Sequence, residues 1–403
     1  MYGTGMVGSP LARAQVQLGL VAAIQVFGLS VWFTITAVAP SFQEEMGLST
    51  SEVGWMTVVV QGGFVVGAVL SALFRLADRV APRYLIAISG LGAAACTLGT
   101  AVTDTYSAFL LLRFLTGVFL AGIYPVGMKV VAEWASPTTK ARAFGVLIAC
   151  LTIGSAMPLL IRATLPLPWR WVMVTAASFA LVAALVAVLF VRDGPNAPAS
   201  TGKLRLADAF TGFRLRRPRL INFGYIGHMW ELYAFWAWLP LFLAAVPVVN
   251  AELTSFIAIG LFGALGAYLG GKAADRFGRE RSAGIVLAVS CVLCAVSPAM
   301  FLMPGPLVVA LCCLWGAVVI ADSGMFSTAL SDNVPASGVG TALTLQTAAG
   351  FLATVISIQA VSLLAEATSW QWAFLLLLPG PLIGMVAMLR AATPPVHPPR
   401  TGG

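Results

Sequence analysis

Four ionisable side chains stand inside long apolar stretches of this 403-residue chain: Arg113, His228, Glu231 and Asp322. If those stretches cross a membrane, a charge within one costs at least about 2.5–3.5 kcal/mol on insertion scales, so each is a candidate for function. Carboxyl and imidazole groups bind and release protons, and we therefore predict proton coupling. Glu231 is the predicted main proton-coupling acid, with His228 as its modulator and Asp322 as a second acid or a cation contact.

Spacing and depth favour Glu231 for this role. His228 and Glu231 are three residues apart, which places them on one face of a helix. At 1.5 Å per residue, Glu231 and Asp322 lie roughly 16 and 14 Å from their helix ends, near the middle of a bilayer. Arg113 lies about 9 Å from a helix end, where it could bind a substrate carboxylate or pair with an acid. The alternative for all four is structural, as hydrogen bonds or salt bridges between helices.

Aromatic and amide side chains in the same stretches are weaker candidates. Phe235 and Trp238 extend the face of His228 and Glu231 and could stack on an organic substrate. Further cavity candidates are Gln25, Trp32, Tyr124 and Gln346. Neither the methionines near His228 nor the six cysteines show a recognised metal-ligand pattern, so we predict no metal site and no cofactor.

The composition indicates that most of the chain is surrounded by lipid. Hydrophobic residues make up 59% of the chain, charged residues 9%, and the mean hydropathy is +0.93, whereas about a quarter of a soluble domain is charged. A run of about 20 apolar residues crosses a bilayer, and in lipid it must be helical to satisfy its backbone. The sequence predicts an all-α polytopic membrane protein with a retained first helix and about twelve transmembrane segments, near 16–40, 51–76, 84–103, 107–132, 141–163, 169–192, 220–246, 252–272, 281–302, 306–331, 338–363 and 371–391.

The distribution of basic residues predicts orientation. Of 23 Lys and Arg residues, 20 fall in the segments that share one side with the N-terminus. Short loops rich in Lys and Arg stay in the cytoplasm, so we predict cytoplasmic N- and C-termini in a bacterial inner membrane. The net charge of +8 therefore reflects topology, and it does not indicate nucleic-acid binding.

A charged turn occurs twice, 197 residues apart, which indicates a duplicated chain. We predict three parts: an N-terminal six-helix bundle over 1–192, a basic linker over 193–219, and a C-terminal six-helix bundle with a short disordered tail over 220–403. The turn can hold the cytoplasmic ends of the two halves together. Its predicted gating residues are Gly271, Asp275, Arg276, Gly278 and Arg279 in the second copy, and Asp78, Arg79 and Arg83 in the first.

Twelve helices, a central linker and this turn resemble the major facilitator superfamily. The second copy matches the family pattern Gly-x-x-x-Asp-Arg-x-Gly-Arg, whereas Phe74 and Ala81 replace glycines in the first. Arg113 and Gly117 are similar to the family's Arg-x-x-x-Gly element. The resemblance implies two pseudosymmetric six-helix bundles with helices 1, 4, 7 and 10 around a central cavity. Three of those helices carry the four ionisable residues.

We therefore predict a secondary active transporter of a small organic solute that works by alternating access and is coupled to protons. No P-loop motif is present to use ATP. Two acids with one arginine favour a cationic, zwitterionic or neutral substrate, carried by a monomer. The alternatives are a uniporter or exchanger without proton coupling, and a non-transporting membrane receptor or assembly protein. No nucleophile–base pair supports an enzyme.

Overall fold

The computed structural model describes residues 10–136, 139–165, 167–196, 211–246, 248, 250–335 and 339–393. Within these ranges all regular structure is helical. Two short helices, Leu76–Arg79 and Thr211–Arg214, accompany twelve long ones. The long helices are α1 Pro10–Gly28 with Thr34–Met46, α2 Thr50–Leu73, α3 Pro82–Val102, α4 Tyr106–Leu120 with Tyr124–Trp134, α5 Lys140–Thr164, α6 Trp169–Phe190, α7 Arg216–Ala244, α8 Ala251–Ser255 continued through Phe256–Phe262 to Gly263–Phe277, α9 Arg279–Val296, α10 Gly305–Ala321 with Ser323–Asp332, α11 Val339–Ala367, and α12 Trp370–Ala373 continued through Phe374–Leu377 to Pro379–Ala392.

The twelve predicted segments match these helices in order, which confirms the predicted fold class. Eleven of the helices are long and apolar enough to span a membrane on their own composition. The twelfth, α7, begins in the basic run Arg216–Arg219 and carries His228 and Glu231, which lower its hydropathy.

Close helix pairs recur in the two halves. In the first half α2 crosses α4 so tightly that a Cβ on Gly63 would lie 2.0 Å from the Phe114 carbonyl oxygen. In the second half a Cβ on Gly266 would lie 1.9 Å from the carbonyl oxygen of Ala317, where α8 crosses α10. Helices two and four of each half therefore pack through glycine in the same way, as pseudosymmetry requires. Between the halves, α2 packs on α11 and α5 packs on α8.

Three helices are interrupted where the polar residues lie. A 3₁₀ turn at Leu29–Val31 divides α1, and α4 breaks between Leu120 and Tyr124. Asp322 stands alone between the two parts of α10. A break turns carbonyl and amide groups away from the helix ladder, so these segments can offer polar groups in the middle of the membrane.

The predicted linker and tail are described only in part. Residues 197–210 and 394–403 lie outside the described ranges. Just before the gap, the backbone N–H of Gly194 donates to the Glu133 carboxylate over 3.1 Å, and that of Asn196 donates to the Glu133 carbonyl over 3.2 Å. The end of α6 is thereby tied to α4.

Candidate functional site

A cavity of about 1450 Å³ lies between the two halves and opens at one end. Its mouth carries Arg75, Arg142, Lys272 and Arg279, together with the acid Asp275. We call this the basic end, and the other end of the molecule the opposite end. The cavity is large enough for a small organic molecule, which fills a pocket of a few hundred Å³.

The deep wall of the cavity is built around His228. The Nδ1 atom of His228 lies 2.8 Å from the Asp322 carboxylate, and both side chains are at most 2% exposed. On the other edge of the ring, Nε2 lies 2.8 Å from the hydroxyl of Ser323. His228 and Ser323 line the cavity, whereas Asp322 lies behind them. Asp322 and Ser323, at the break in α10, thus contact the two ring nitrogens of His228.

Tyrosine and threonine hydroxyls continue this polar wall. Tyr124 comes from α4, Tyr225 and Tyr233 from α7, and Thr347 from α11. Tyr225 is within hydrogen-bonding reach of the Thr347 side chain. Since these hydroxyls come from both halves, a bound molecule can be contacted from both sides at once.

Six aromatic rings, which we call the aromatic floor, close the cavity towards the opposite end. Trp32 lies 6.3 Å from Phe351 and 5.9 Å from Tyr233 between ring centroids. Phe33 meets Trp236 edge-on at 5.8 Å, and Phe64 lies 4.8 Å from Phe351. Every one of these contacts joins the two halves. The complete set is Trp32, Phe33, Phe64, Tyr233, Trp236 and Phe351.

Beyond the floor lies a second contact, the opposite-end seal, formed by Ser51, Gly54, Trp238, Gln359 and Glu366. The backbone N–H of Ser51 donates to the Glu366 carboxylate over 2.7 Å, and Gln359 Nε2 donates to the Ser51 carbonyl over 3.3 Å. A Cβ on Gly54 would lie 2.9 Å from Gln359 Oε1 and 3.2 Å from the Trp238 ring. The two halves are therefore in direct contact at this end, while the basic end is open.

Three buried polar atoms at this closed interface have no hydrogen-bond partner among the described residues. They are the side-chain nitrogen of Gln61, the indole nitrogen of Trp236 and Oε1 of Gln359. Gln61 does accept a bond from the Trp32 indole over 3.2 Å through its other terminal atom.

The seal predicts the effect of a substitution at Gly54. In Gly54→Val the branched side chain must displace Gln359 on α11 and the Trp238 ring on α7, because a Cβ alone would lie 2.9 and 3.2 Å from them. We expect hydrogen–deuterium exchange to rise about tenfold in the peptides around 49–55 and 359–366. Gly62→Val is the matched control, since a Cβ there meets nothing within 4 Å. Equal exchange in the two variants would show that the seal does not depend on this contact.

Arg113 does not reach the cavity. Its guanidinium donates to the carbonyls of Val31 and Trp32 over 3.0 and 2.6 Å, and the side chain is fully buried. These carbonyls belong to the interruption in α1, where the helix no longer supplies partners. This arrangement matches the structural alternative for Arg113: it fixes the segment that presents Trp32 to the cavity.

The structure also places Glu231 away from the cavity. Its carboxylate accepts from the Trp315 indole over 2.6 Å and lies 3.6 Å from the Cys294 sulfur, between α7, α9 and α10. His228 and Glu231 both contact residues of α10, but only His228 extends to the cavity.

The four remaining predicted residues that lie off the cavity pack on or bond to residues of their own half, and Trp238 also belongs to the opposite-end seal. Phe235 packs on Trp315 at 4.8 Å, and Trp238 donates to the Ile358 carbonyl over 2.9 Å. Gln25 donates weakly to the Ile123 carbonyl over 3.4 Å, and Gln346 donates to Asn222 over 2.9 Å. Of the ten cavity candidates, His228, Trp32 and Tyr124 line the wall.

Sequence reasoning missed Ser323, Tyr225, Tyr233 and Trp236 as cavity residues. On α7 the lining positions are 225, 228, 229, 232, 233 and 236, which is the spacing of one helix face. Steps of four residues from His228 give Leu232 and Trp236, which line the cavity, whereas the step of three residues gives Glu231, which does not. Phe235 and Trp238 are seven and ten residues from His228, and neither lines the cavity.

The charged turn lies at the mouth. Gly271, Asp275 and Arg279 line the cavity there, and Arg279 forms an ion pair with Asp332 on α10. Gly278 has φ +86°, a conformation that favours glycine, and starts α9.

The other gating residues have separate positions. Arg276 stacks on Phe277 at 5.2 Å, and Arg83 stacks on Tyr84 at 4.7 Å. Arg79 ends the short helix after α2. The side chain of Asp78 lies outside the described part of the chain. Within the described ranges, no group of three or more His, Cys, Asp and Glu residues could hold a metal ion.

Twelve helices in two glycine-packed halves, around a cavity that is open at one end only, define a membrane transporter fold. The sequence profile of the Major Facilitator Superfamily matches residues 20–358. The chain belongs to this superfamily.

Known members differ in how much of their length the chain matches. It is 24% identical over 278 residues to a probable sulfoacetate transporter of Cupriavidus necator, covering 64% of each chain. It is 25% identical over 275 residues to a probable L-galactonate transporter of Escherichia coli, of which it covers 60%. The chain thus spans less than two thirds of these two relatives. A hexuronate transporter of Escherichia coli is 24% identical over 410 residues, with 92% of each chain covered.

Two solved structures share the fold. A mutant of the nucleoside transporter NupG superposes with a TM-score of 0.74 at 15% identity, covering 94% of this chain and all of that one. A bacterial homologue of the human lysosomal transporter Spinster, described as inward-facing and unoccupied, gives 0.67 at 17% identity over 94% of this chain and 95% of that one.

Proposed function

We propose that the protein is a secondary active transporter that carries a small organic acid by alternating access. The single observation that supports this most is the cavity of about 1450 Å³, open at the basic end and closed by the aromatic floor at the other. A transporter of this kind exposes one central site to each side of the membrane in turn. The present conformation would then be the one that faces the basic end.

An acidic substrate replaces the cationic, zwitterionic or neutral one that the sequence favoured. That preference rested on Glu231 and Asp322, and neither carboxylate lines the cavity. The mouth instead carries four basic residues and one acid. Sulfoacetate, L-galactonate and hexuronate, which the relatives' names give as their substrates, each contain an acidic group. A field of positive charge at the entrance raises the local concentration of such anions.

We further propose that the basic end faces the cytoplasm of a bacterium, with both termini on that side of the inner membrane. The excess of Lys and Arg in its loops supports this orientation. On this assignment the conformation is inward-facing, and the protein acts as a monomer around its own cavity.

Proton coupling is assigned to the pair of His228 and Asp322. It is the buried titratable pair with one member on the cavity wall, so a proton can exchange with the cavity. Glu231, enclosed by Trp315 and Cys294, is assigned a structural role in this proposal.

Uptake by the purified protein in liposomes tests both the substrate class and the proton coupling. Uptake of galacturonate, L-galactonate, sulfoacetate and 4-hydroxybenzoate would be measured with and without an imposed pH gradient. We expect at least one acid to accumulate, and Asp322→Asn to lower gradient-driven uptake at least tenfold. Glu231→Gln should retain the response to the gradient, because glutamine still accepts from Trp315.

Each contrary outcome selects another function. Uptake that ignores the gradient in the wild type indicates a uniporter or exchanger. Loss of the pH response in Glu231→Gln, with normal folding, would return the coupling role to Glu231. If no acid on the panel enters the liposomes while a cationic or neutral solute does, the proposed substrate class is wrong.

A further inference from the structure

We propose that Ser323 is the residue that binds the acidic group of the substrate, and that the protonation of His228 sets the direction of its hydrogen bond. This inference rests on the proposed function, and it adds the atom that joins proton binding to anion binding. The observation behind it is the chain of contacts Asp322–His228–Ser323, whose last member faces the cavity.

The two ends of the imidazole have different partners. Asp322 can only accept a hydrogen bond while it is ionised, so the His228 nitrogen beside it, Nδ1, carries a hydrogen. Within the described ranges neither Asp322 carboxylate oxygen has a hydrogen bond of regular geometry, so the 2.8 Å contact with Nδ1 is an ion pair. The Nε2 atom faces a hydroxyl, which can donate or accept. A change in the protonation of His228 therefore changes the hydrogen bond between Nε2 and the Ser323 hydroxyl.

In neutral His228, Nε2 has no hydrogen and accepts from the Ser323 hydroxyl. Ser323 then presents only lone pairs to the cavity, which repel an anion. In protonated His228, Nε2 donates to the Ser323 oxygen, and the serine hydrogen is free to turn towards the cavity. One added proton thus converts Ser323 from an acceptor into a donor for the substrate.

The net charge of the site also favours anion binding when His228 is protonated. With His228 protonated, the pair with Asp322 is neutral, and a bound monoanion leaves one net negative charge. With His228 neutral, the anion adds to the charge of the buried Asp322, and the two like charges repel each other. Both effects link one proton to one anionic group.

Asp322 is the charged group in direct contact with His228. The rings nearest to it are Tyr225 at 6.2 Å and Phe326 at 5.2 Å, and neither is charged near neutral pH. Tyr124 faces it from α4 across the cavity, also uncharged. Glu231, one turn away on α7, is bonded to Trp315 and interacts electrostatically with both His228 and Asp322. The basic side chains Arg142 and Lys272 lie at the mouth.

Nuclear magnetic resonance of the histidine nitrogens tests the inference directly. The chain contains two histidines, so His397→Gln leaves His228 as a single ¹⁵N-labelled imidazole in lipid nanodiscs. We expect neutral His228 to carry its hydrogen on Nδ1. Addition of whichever of galacturonate, L-galactonate, sulfoacetate or 4-hydroxybenzoate the wild type transports should keep His228 doubly protonated to higher pH. By linkage, affinity for that acid should fall about tenfold per pH unit once the proton leaves.

Two variants give the control. Ser323→Ala should weaken affinity for the acid at least tenfold at low pH and reduce its pH dependence to the part that comes from the charge of His228, whereas Ser323→Thr, which keeps a hydroxyl, should restore the full pH dependence. A neutral His228 with its hydrogen on Nε2 would overturn the inference even if transport is found. So would a transported acid that leaves the His228 spectrum unchanged, or a Ser323→Ala protein with wild-type pH dependence. Absence of uptake for all four acids would contradict the proposed function instead. The position of the hydrogen on neutral His228 would still test the proposed hydrogen bond with Ser323.

Discussion

Arg113→Met is expected to abolish measurable uptake and to destabilise the protein by about 3 kcal/mol. Removal of the guanidinium leaves the Trp32 carbonyl buried without its donor and the Val31 carbonyl with only the Thr34 hydroxyl at 3.3 Å, and a buried group left unpaired costs about 1–3 kcal/mol. The interruption in α1 is then free to rearrange, and Trp32 loses its fixed position in the aromatic floor. Uptake of a transported acid into liposomes and the thermal midpoint of the purified protein measure the two effects.

Arg113→Lys separates this positioning role from a role of the charge. Lysine keeps the positive charge, but its single ammonium group cannot bond both carbonyls in the fork geometry of arginine. We therefore expect Arg113→Lys to resemble Arg113→Met in uptake. Near-normal uptake in Arg113→Lys would indicate that Arg113 acts as a charge, by pairing with an acid or binding the substrate.

Gly270→Ala is expected to lower the stability of the protein by about 1–3 kcal/mol and to impair uptake severely. Its added Cβ would lie 2.0 Å from the carbonyl oxygen of Ala321, and since both partners are backbone, the helices α8 and α10 must separate. The displacement occurs directly beside Asp322, so it also disturbs the contact with His228. Thermal unfolding and uptake of the same transported acid report the two consequences.

The neighbouring Gly271 is the matched control. It is the glycine that fits the family pattern, yet a Cβ there meets nothing within 4 Å. Gly271→Ala should leave the thermal midpoint unchanged or raise it, because alanine favours a helix over glycine by about 1 kcal/mol. A larger loss of stability in Gly271→Ala than in Gly270→Ala would contradict the packing described for α8 and α10.

The sequence predicted the helices, because membrane segments are recognisable by their length and apolar composition. The family resemblance implied a cavity surrounded by helices 1, 4, 7 and 10, whereas α2, α5, α8 and α11 line it as well. Of the predicted cavity residues, Trp32, Tyr124 and His228 line the wall. The rotation of α7 was not predictable from its pattern, since the helix is aromatic and buried on every side. Phe235 and Trp238 were consequently preferred over Tyr233 and Trp236.

The role of Arg113 and the position of Ser323 depend on helix interruptions that leave little trace in the sequence. No proline marks Leu29–Phe33 or Asp322, and the freed carbonyls become visible only when the chain is folded. Depth and the face shared with His228 pointed to function at Glu231, although a carboxylate can equally be held by donors such as the Trp315 indole. Depth in the membrane therefore selected the correct helices but could not distinguish the wall of the cavity from the interior of a bundle.

The three unpaired atoms at the closed interface affect how easily the protein changes shape. The buried nitrogens of Gln61 and Trp236 and the buried oxygen of Gln359 each raise the free energy of the closed arrangement, by about 1–3 kcal/mol for an unmade hydrogen bond. When the halves part at this end, water can bond to all three, and that cost disappears. The rings and the contact of Ser51 with Glu366 favour closure, so opposing contributions meet in one interface. We expect these opposing contributions to lower the free energy required to separate the two halves at this end.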